Sequence, residues 1–135
     1  MASHLFTSDE AERLLPGLTE LILEMRARKR EHERHRALVS EMERRMGGNG
    51  HVVAGPLQEA RKGMTEALSE VNRIAQEVES LGCELKDIDE GLIDFRAMVD
   101  GEEAYLCWKL GEPKIDWWHS LQTGFAGRQS LLDQR

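Results

Sequence analysis

Three observations predict an α+β fold: a long antiparallel helical hairpin of coiled-coil character carrying a small C-terminal antiparallel β-sheet of three or four strands. Two stretches repeat apolar residues at heptad spacing and flank a glycine-rich turn. Further on, an Asp-Gly pair sits between two segments of alternating polarity. The unusual residues are segregated too, since all three tryptophans, the single tyrosine and both cysteines fall after Gly82.

Thr7 followed three residues later by Glu10 is a capping-box signature, so a helix begins near Ser8. Pro16-Gly17 reads as an interruption, which makes residues 8–15 a short helix and starts a new one at Pro16. The new helix, 16–46, carries a seam of Leu18, Leu21, Met25, Arg28, His32, His35, Val39, Met42 and Met46. That seam is apolar at both ends and polar in the middle. Gly47 to Gly50 (GGNG) then ends the helix. The second helix, 56–82, opens at Pro56 and closes at Gly82. Its seam is apolar throughout: Leu57, Ala60, Met64, Ala67, Val71, Ile74, Val78 and Leu81. Pairing the seams makes a hairpin about 45 Å long at ~1.5 Å per residue, with His32 opposite Val71 and His35 opposite Ala67. Leu15 and Ile22 widen the apolar stripe where the C-terminal segment is expected to pack.

The remainder reads as a β-meander over 83–119. Asp100-Gly101 is the hairpin turn, between 92–98 and 104–110. Segments 115–118 and 84–88 can add strands, and 120–135 reads as loop and tail. The whole chain, 1–135, is taken as one domain.

A net charge of −7 is distributed unevenly. Arg26 to Arg45 holds eight Lys/Arg against four Glu, whereas Glu84 to Asp116 holds ten acidic residues against four basic ones. The start of the chain lacks the pattern of a secretory signal, and no apolar run approaches the ~20 residues of a membrane span. Two cysteines are too few for a disulfide framework, so the expected setting is a reducing cytoplasm.

The candidate site residues lie in the last third. Glu84, Asp87, Asp89, Glu90 and Asp94 crowd around Gly91, and with His119 they suggest a divalent-metal site built from Asp87, Asp89 and His119. A ligand site of Trp117, Trp118, His119 and Arg128 is the companion expectation, because a core alone does not require WWH. Arg128 could clamp a carboxylate or phosphate, or simply tie down the acidic body. Cys107, between Leu106 and Trp108, reads as a buried structural thiol rather than a nucleophile. His32 and His35 lack the Glu-x-x-His pattern of di-metal bundles and read as polar seam residues that set register or oligomeric state. GGNGH at the tip lacks the GK[ST] of a phosphate loop, although His51 is not needed by a turn.

With ELKDIDEGLIDF, AYLCWKLGE, WWH and GFAGRQ assembled, the chain resembles a small bacterial family catalogued as domain of unknown function 2203. The likeness runs from FTSDEAERLLPGL through GGNGH to the tail. It implies a bacterial cytoplasmic protein and no assigned activity. The family pattern carries proline where this chain has Arg96 and Ser130, which reads as turn chemistry.

Three functions follow as expectations. The first is a non-enzymatic interaction protein, homo-oligomeric through its seams and most simply a dimer. The second is a small-molecule or metal-binding protein, with or without catalysis, whose site is in the C-terminal sheet. The third, RNA binding by the basic arm, is weakened by the interleaved glutamates and by the absence of aromatics there.

Overall fold

The structure, a computed structural model, describes residues 4–49 and 54–131. Two helices, α1 (Ser8–Asn49) and α2 (Ala54–Ser80), precede five strands: β1 (Glu84–Asp87), β2 (Leu92–Val99), β3 (Glu102–Lys109), β4 (Trp117–Ser120) and β5 (Gln129–Ser130). The fold is therefore α+β. By backbone proximity the chain divides into two compact units, one comprising residues up to Leu23 together with those from Ala75 onward, the other Glu24–Ile74.

In the first unit α1 starts as its sequence dictates. The Thr7 amide donates to Glu10 Oε1 (2.9 Å) and the Glu10 amide to Thr7 Oγ1 (3.1 Å), closing the capping box. Pro16 does not end the helix, so the expected break between a short helix and a long one is corrected to a single 42-residue helix. The reason is continuity of burial. Ala11, Leu15, Leu18 and Ile22 are all buried on one face that passes Pro16 unbroken, while Pro16 itself is exposed. A helical proline costs about 3 kcal/mol. Burying Leu15, Leu18 and Ile22 recovers roughly 1.5–3 kcal/mol each.

The sheet is an antiparallel meander in the order β1-β2-β3-β4-β5. It has five strands, not three or four. The fifth, Gln129–Ser130, lies in the segment read as loop, where it pairs with Trp118 and Trp117. Two residues are too short to display the alternation by which a strand is read. Strand β4 begins two residues later than expected, and α2 ends at Ser80, which leaves Leu81 exposed beside the cap instead of in the seam. Gly82, at φ 97°, supplies that cap, with its amide donating to the Glu79 carbonyl (2.9 Å). Arg96 and Ser130 lie in strands and not in turns.

Asp100 (φ 53°) and Gly101 (φ 82°) both adopt positive φ, the conformation of the primed hairpin turn that Asp-Gly favours. The turn sets the β2–β3 register from Val99↔Glu102 to Leu92↔Lys109 without a slip. Strand alternation then sorts the side chains. Ile93, Phe95, Ala97, Ala104, Leu106 and Trp108 share one face, and all are buried. Phe6 meets Phe95 edge-on at 5.2 Å, its amide donates to the Arg96 carbonyl (2.7 Å), and Glu12 Oε2 accepts from the Ile115 amide (2.9 Å). The start of α1 and the preceding residues are thus tied to the sheet, as the widened apolar stripe at Leu15 and Ile22 suggested.

The second unit is an antiparallel pair made by the rest of α1 and most of α2. Met25, Val39, Leu57, Ala60, Ala67, Val71 and Ile74 are buried, and Arg28, His32 and His35 are half-buried along the seam. Cross-links run Glu24 to Arg73 (3.5 Å) and Glu43 to Arg61. The register differs from simple counting at His32, whose Nδ1 lies 3.1 Å from the Met64 carbonyl and not against Val71. His35 lies over Gly63, where a Cβ would come within 2.5 Å of the ring. The glycine makes room for the imidazole, a packing signal that heptad counting does not contain. The helix runs through Gly47 and Gly48 and ends at Asn49, within the GGNG stretch expected to stop it, and α2 opens at Ala54, two residues before Pro56. His51 lies outside the described residues.

Pro16 yields a test. Pro16→Ala restores a donor to the Glu12 carbonyl at an exposed position. Less about 1 kcal/mol from the freer unfolded chain, the expected gain is about 2 kcal/mol in urea unfolding. A loss of stability would show that the proline shapes the helix in a way the core requires.

Candidate functional site

The opposite face of the sheet is polar, and its layout follows from the same alternation. Asp94 of β2, Cys107 of β3 and Trp117 of β4 stand in one row across three strands. Arg96, Tyr105 and His119 make the adjacent row. Glu84 of β1 lies beside Asp94. His119 reaches Asp94, two strands away, by laying its ring across β3. The His119 Nε2 to Asp94 Oδ2 distance is 2.9 Å, and the ring centroid lies 5.3 Å from that of Tyr105.

Asp94 and His119 are the two buried polar side chains among the described residues. His119 Nδ1 lies 2.8 Å from the Ser120 carbonyl. A carbonyl oxygen only accepts, so Nδ1 carries a proton. One further proton is then shared between Nε2 and Oδ2, and the pair is neutral as a unit whichever atom holds it. Burial pushes the Asp94 carboxyl above the usual carboxylate value, while the His119 beside it pulls the other way.

Cys107 is buried next to this pair, and the ligand atoms of Asp94, Cys107 and His119 all lie within 4.8 Å of one another. Burial, and after it the charge of Asp94, pushes the Cys107 thiol up to about 12. This is no activated nucleophile. Its proton stays on at neutral pH, and the imidazole that could remove it is engaged with Asp94 and Ser120. The expectation that Cys107 is a buried thiol holds, but its position at the centre of the polar face was not foreseen.

Lys86, Leu92, Asp94, Tyr105, Cys107, His119 and the loop residues Leu121, Thr123, Gly124 and Phe125 line a cavity of about 250 Å3. Lys86 is paired with Glu84 (2.9 Å), to which the Tyr105 hydroxyl also donates (3.2 Å). The loop is pinned by Arg128. Its guanidinium lies 4.6 Å from the ring centroids of both Trp117 and Phe125, and its Nη2 donates to Glu112 Oε2 (2.7 Å). Within the loop, the Thr123 amide donates to Ser120 Oγ (3.2 Å).

Of the sequence-predicted site residues, the structure brings Trp117, His119 and Arg128 to one face and turns Trp118 to the other. Strand alternation makes that separation unavoidable for neighbours in a strand. Arg128 is already held by Glu112 and two rings, so it secures the loop. The metal set of Asp87, Asp89 and His119 does not assemble. Asp87 and Asp89 are exposed where β1 turns into β2, and Asp87 Oδ1 accepts from the Glu90 amide (2.8 Å) as a turn residue does. The carboxylate that reaches His119 is Asp94. Sequence could have indicated it, because a two-residue Asp100-Gly101 turn pairs residues symmetrically and sets Asp94 against Cys107.

Comparison with known families places residues 4–131 within the model of a family described as an uncharacterized conserved protein, DUF2203. No curated protein and no solved structure matches the chain.

The buried thiols give a pH test. Cys83, pushed to about 11 by burial, and Cys107, at about 12, hold their protons more tightly folded than unfolded, where the value is near 9.0. Their contribution is complete below pH 9 and is lost as pH rises through 11 and 12. At about pH 10.5 each thiol should remove about 2 kcal/mol of stability relative to pH 7.5. Urea unfolding of Cys83→Ala and Cys107→Ala should each show a pH dependence smaller by that share. An unchanged slope in both variants would mean the thiols ionise freely in the folded protein.

Proposed function

The chain belongs to the DUF2203 family, and we propose that it is a small-molecule-binding protein whose site is the cavity on the polar face of the sheet. One observation carries this. Asp94 and His119, the two buried polar side chains among the described residues, both line that cavity. Burying such groups is costly, and a sheet face meant only to be covered is built more stably from apolar residues. Polar groups converging in a mostly apolar concavity are the mark of a binding site.

The cavity limits the ligand. About 250 Å3 falls just below the 300–1,000 Å3 range of drug-sized sites, so the ligand is a small metabolite and not a polymer. Leu92, Leu121 and Phe125 supply apolar wall, and Tyr105, Lys86 and the His119–Asp94 pair supply hydrogen-bonding groups. The basic run on α1 favours no competing nucleic-acid role. Arg28, Arg36, Arg44 and Arg45 are bonded to glutamates three or four residues away on the same helix. No described helix is long and apolar enough to cross a membrane. The two free buried thiols fit a reducing compartment such as a bacterial cytoplasm.

Amide-resolved NMR with a library of small polar fragments tests the site. Shifts are expected at Lys86, Tyr105, His119 and Leu121 to Phe125, and Tyr105→Ala should abolish them while leaving the fold intact. Fragments that gather instead in the apolar groove lined by Leu5, Phe6 and Met98, or nowhere, would overturn the reading.

A second reading, self-association as a dimer, draws on exposed Leu38 and Leu68 and on the polar residues Arg28, His32 and His35 in the seam. Light scattering from the micromolar range upward should then give twice the chain mass, reduced by Leu38→Glu. A monomer at every concentration ends it.

A further inference from the structure

We infer that Asp94, Cys107 and His119 form a site for a divalent transition metal of the zinc class, with its open coordination position facing the cavity. The inference rests on reading this face as a ligand site, and it names the first thing bound there.

Four observations carry it. First, the three side chains offer one oxygen, one sulfur and one nitrogen, all within 4.8 Å of one another. A tetrahedral ion at ~2.0–2.3 Å from each donor needs donor separations of about 3.3–3.7 Å, which small side-chain rotations provide. Second, the mixture is selective. Thiolate and imidazole favour zinc, cobalt or nickel, whereas calcium and magnesium require oxygen. Third, the histidine is set as a metal-bound histidine is set. The Nδ1–H donates to the Ser120 carbonyl at 2.8 Å, which fixes the tautomer and makes Nε2, facing Asp94, the nitrogen an ion would take once it displaces the proton shared there. Fourth, all three residues line the 250 Å3 cavity, so the ion has a way in and a fourth position for water or a ligand atom. Three protein ligands with one open position is the pattern of zinc sites that act on something, as opposed to closed structural sites.

The charge balances. Without metal the cluster holds the thiol proton of Cys107 and the proton shared by Asp94 and His119. A divalent ion displaces both, leaving thiolate, carboxylate and neutral imidazole around a doubly positive centre. Two protons leave for one ion, and the buried charge is unchanged, so the exchange avoids the cost of introducing net charge into a low-dielectric interior. The other charged groups near this face are already balanced: Lys86 by Glu84, Arg96 by Glu103 (3.7 Å) and Arg128 by Glu112. An incoming cation therefore meets little uncompensated positive charge.

The test uses the full chain purified without a histidine tag, stripped with chelator and titrated with Co2+. Expected are one ion per chain, a near-ultraviolet thiolate-to-cobalt charge-transfer band, and release of about two protons per ion. Cys107→Ser should remove the band and weaken binding at least about tenfold, whereas Cys83→Ser should keep both. Should Cys107→Ser fail to fold, the wild-type protein still decides the matter, because Zn2+ should slow alkylation of Cys107 and not of Cys83 under mild denaturant. Absence of the band, or a band that survives Cys107→Ser, overturns the metal site. Fragment shifts persisting in chelator-treated protein would leave the small-molecule site standing without metal. A cobalt band without fragment binding would show the reverse.

Discussion

Everything on the polar face depends on the register of one hairpin. Side chains alternate with a period of two, so a slip of β3 by one residue against β2 would send Cys107 and Tyr105 into the core and Leu106 and Trp108 into water. Two constraints forbid the slip. Asp100 and Gly101 accept the positive φ of a two-residue turn, and Ile93, Phe95, Ala97, Ala104, Leu106 and Trp108 on the other face are all buried. The turn chooses the register locally and the core enforces it globally. A site that spans β2, β3 and β4 can be accurate only because these two influences agree.

Within that frame the Asp94–His119 pair behaves as one object. Neither group could be buried as a lone charge, since the effective penalty runs to several kcal/mol per ion. Together, with the Ser120 carbonyl closing the far side of the ring, they are neutral and fully hydrogen-bonded. Cys107 completes the cluster and keeps its proton for the same reason, the low dielectric at the centre of the face. Arg128 maintains these conditions from outside. By stacking on Trp117 and Phe125 and bonding Glu112, it holds the loop that forms one wall of the cavity. An arginine that could have served a ligand instead shapes the space available to one.

Much of this was legible in sequence, and the failures have physical causes. The capping box, both seams, the Asp-Gly turn and the two central strands are local patterns, and each was readable because its signal lies within a few residues. Pro16 misled because a local rule met a longer-range fact, the unbroken buried face from Ala11 to Ile22. The two-residue fifth strand has no local signal at all; only pairing with Trp117 and Trp118 defines it. His119 was grouped with Asp87 and Asp89 as ligands, whereas the member of the same acidic cluster that reaches it is Asp94. Asp87 and Asp89 lie nearer the middle of that cluster, but proximity in sequence says little about a sheet, where partners are set by register. Gly63 is a further case, since the need for it exists only once His35 has a helix to lie against.

The energetics of the polar face also bear on why it is there at all. Replacing a buried ionic cluster by packed apolar side chains is often neutral or stabilising by about 1–4 kcal/mol. The opposite face shows that this chain can build such packing, with Ile93, Phe95, Leu106 and Trp108 all buried. Stability alone therefore does not account for a row containing Asp94 and Cys107 beside a row containing His119, nor for a cavity left open above them. A structural requirement for specificity could be met by one polar pair, and the Asp94–His119 bond supplies it. Cys107 is no nucleophile that the pair activates; its thiol, hydrogen-bonded to Asp94, sets a third donor atom beside the pair. Its place between them is explained once the three donors are taken to serve a single guest.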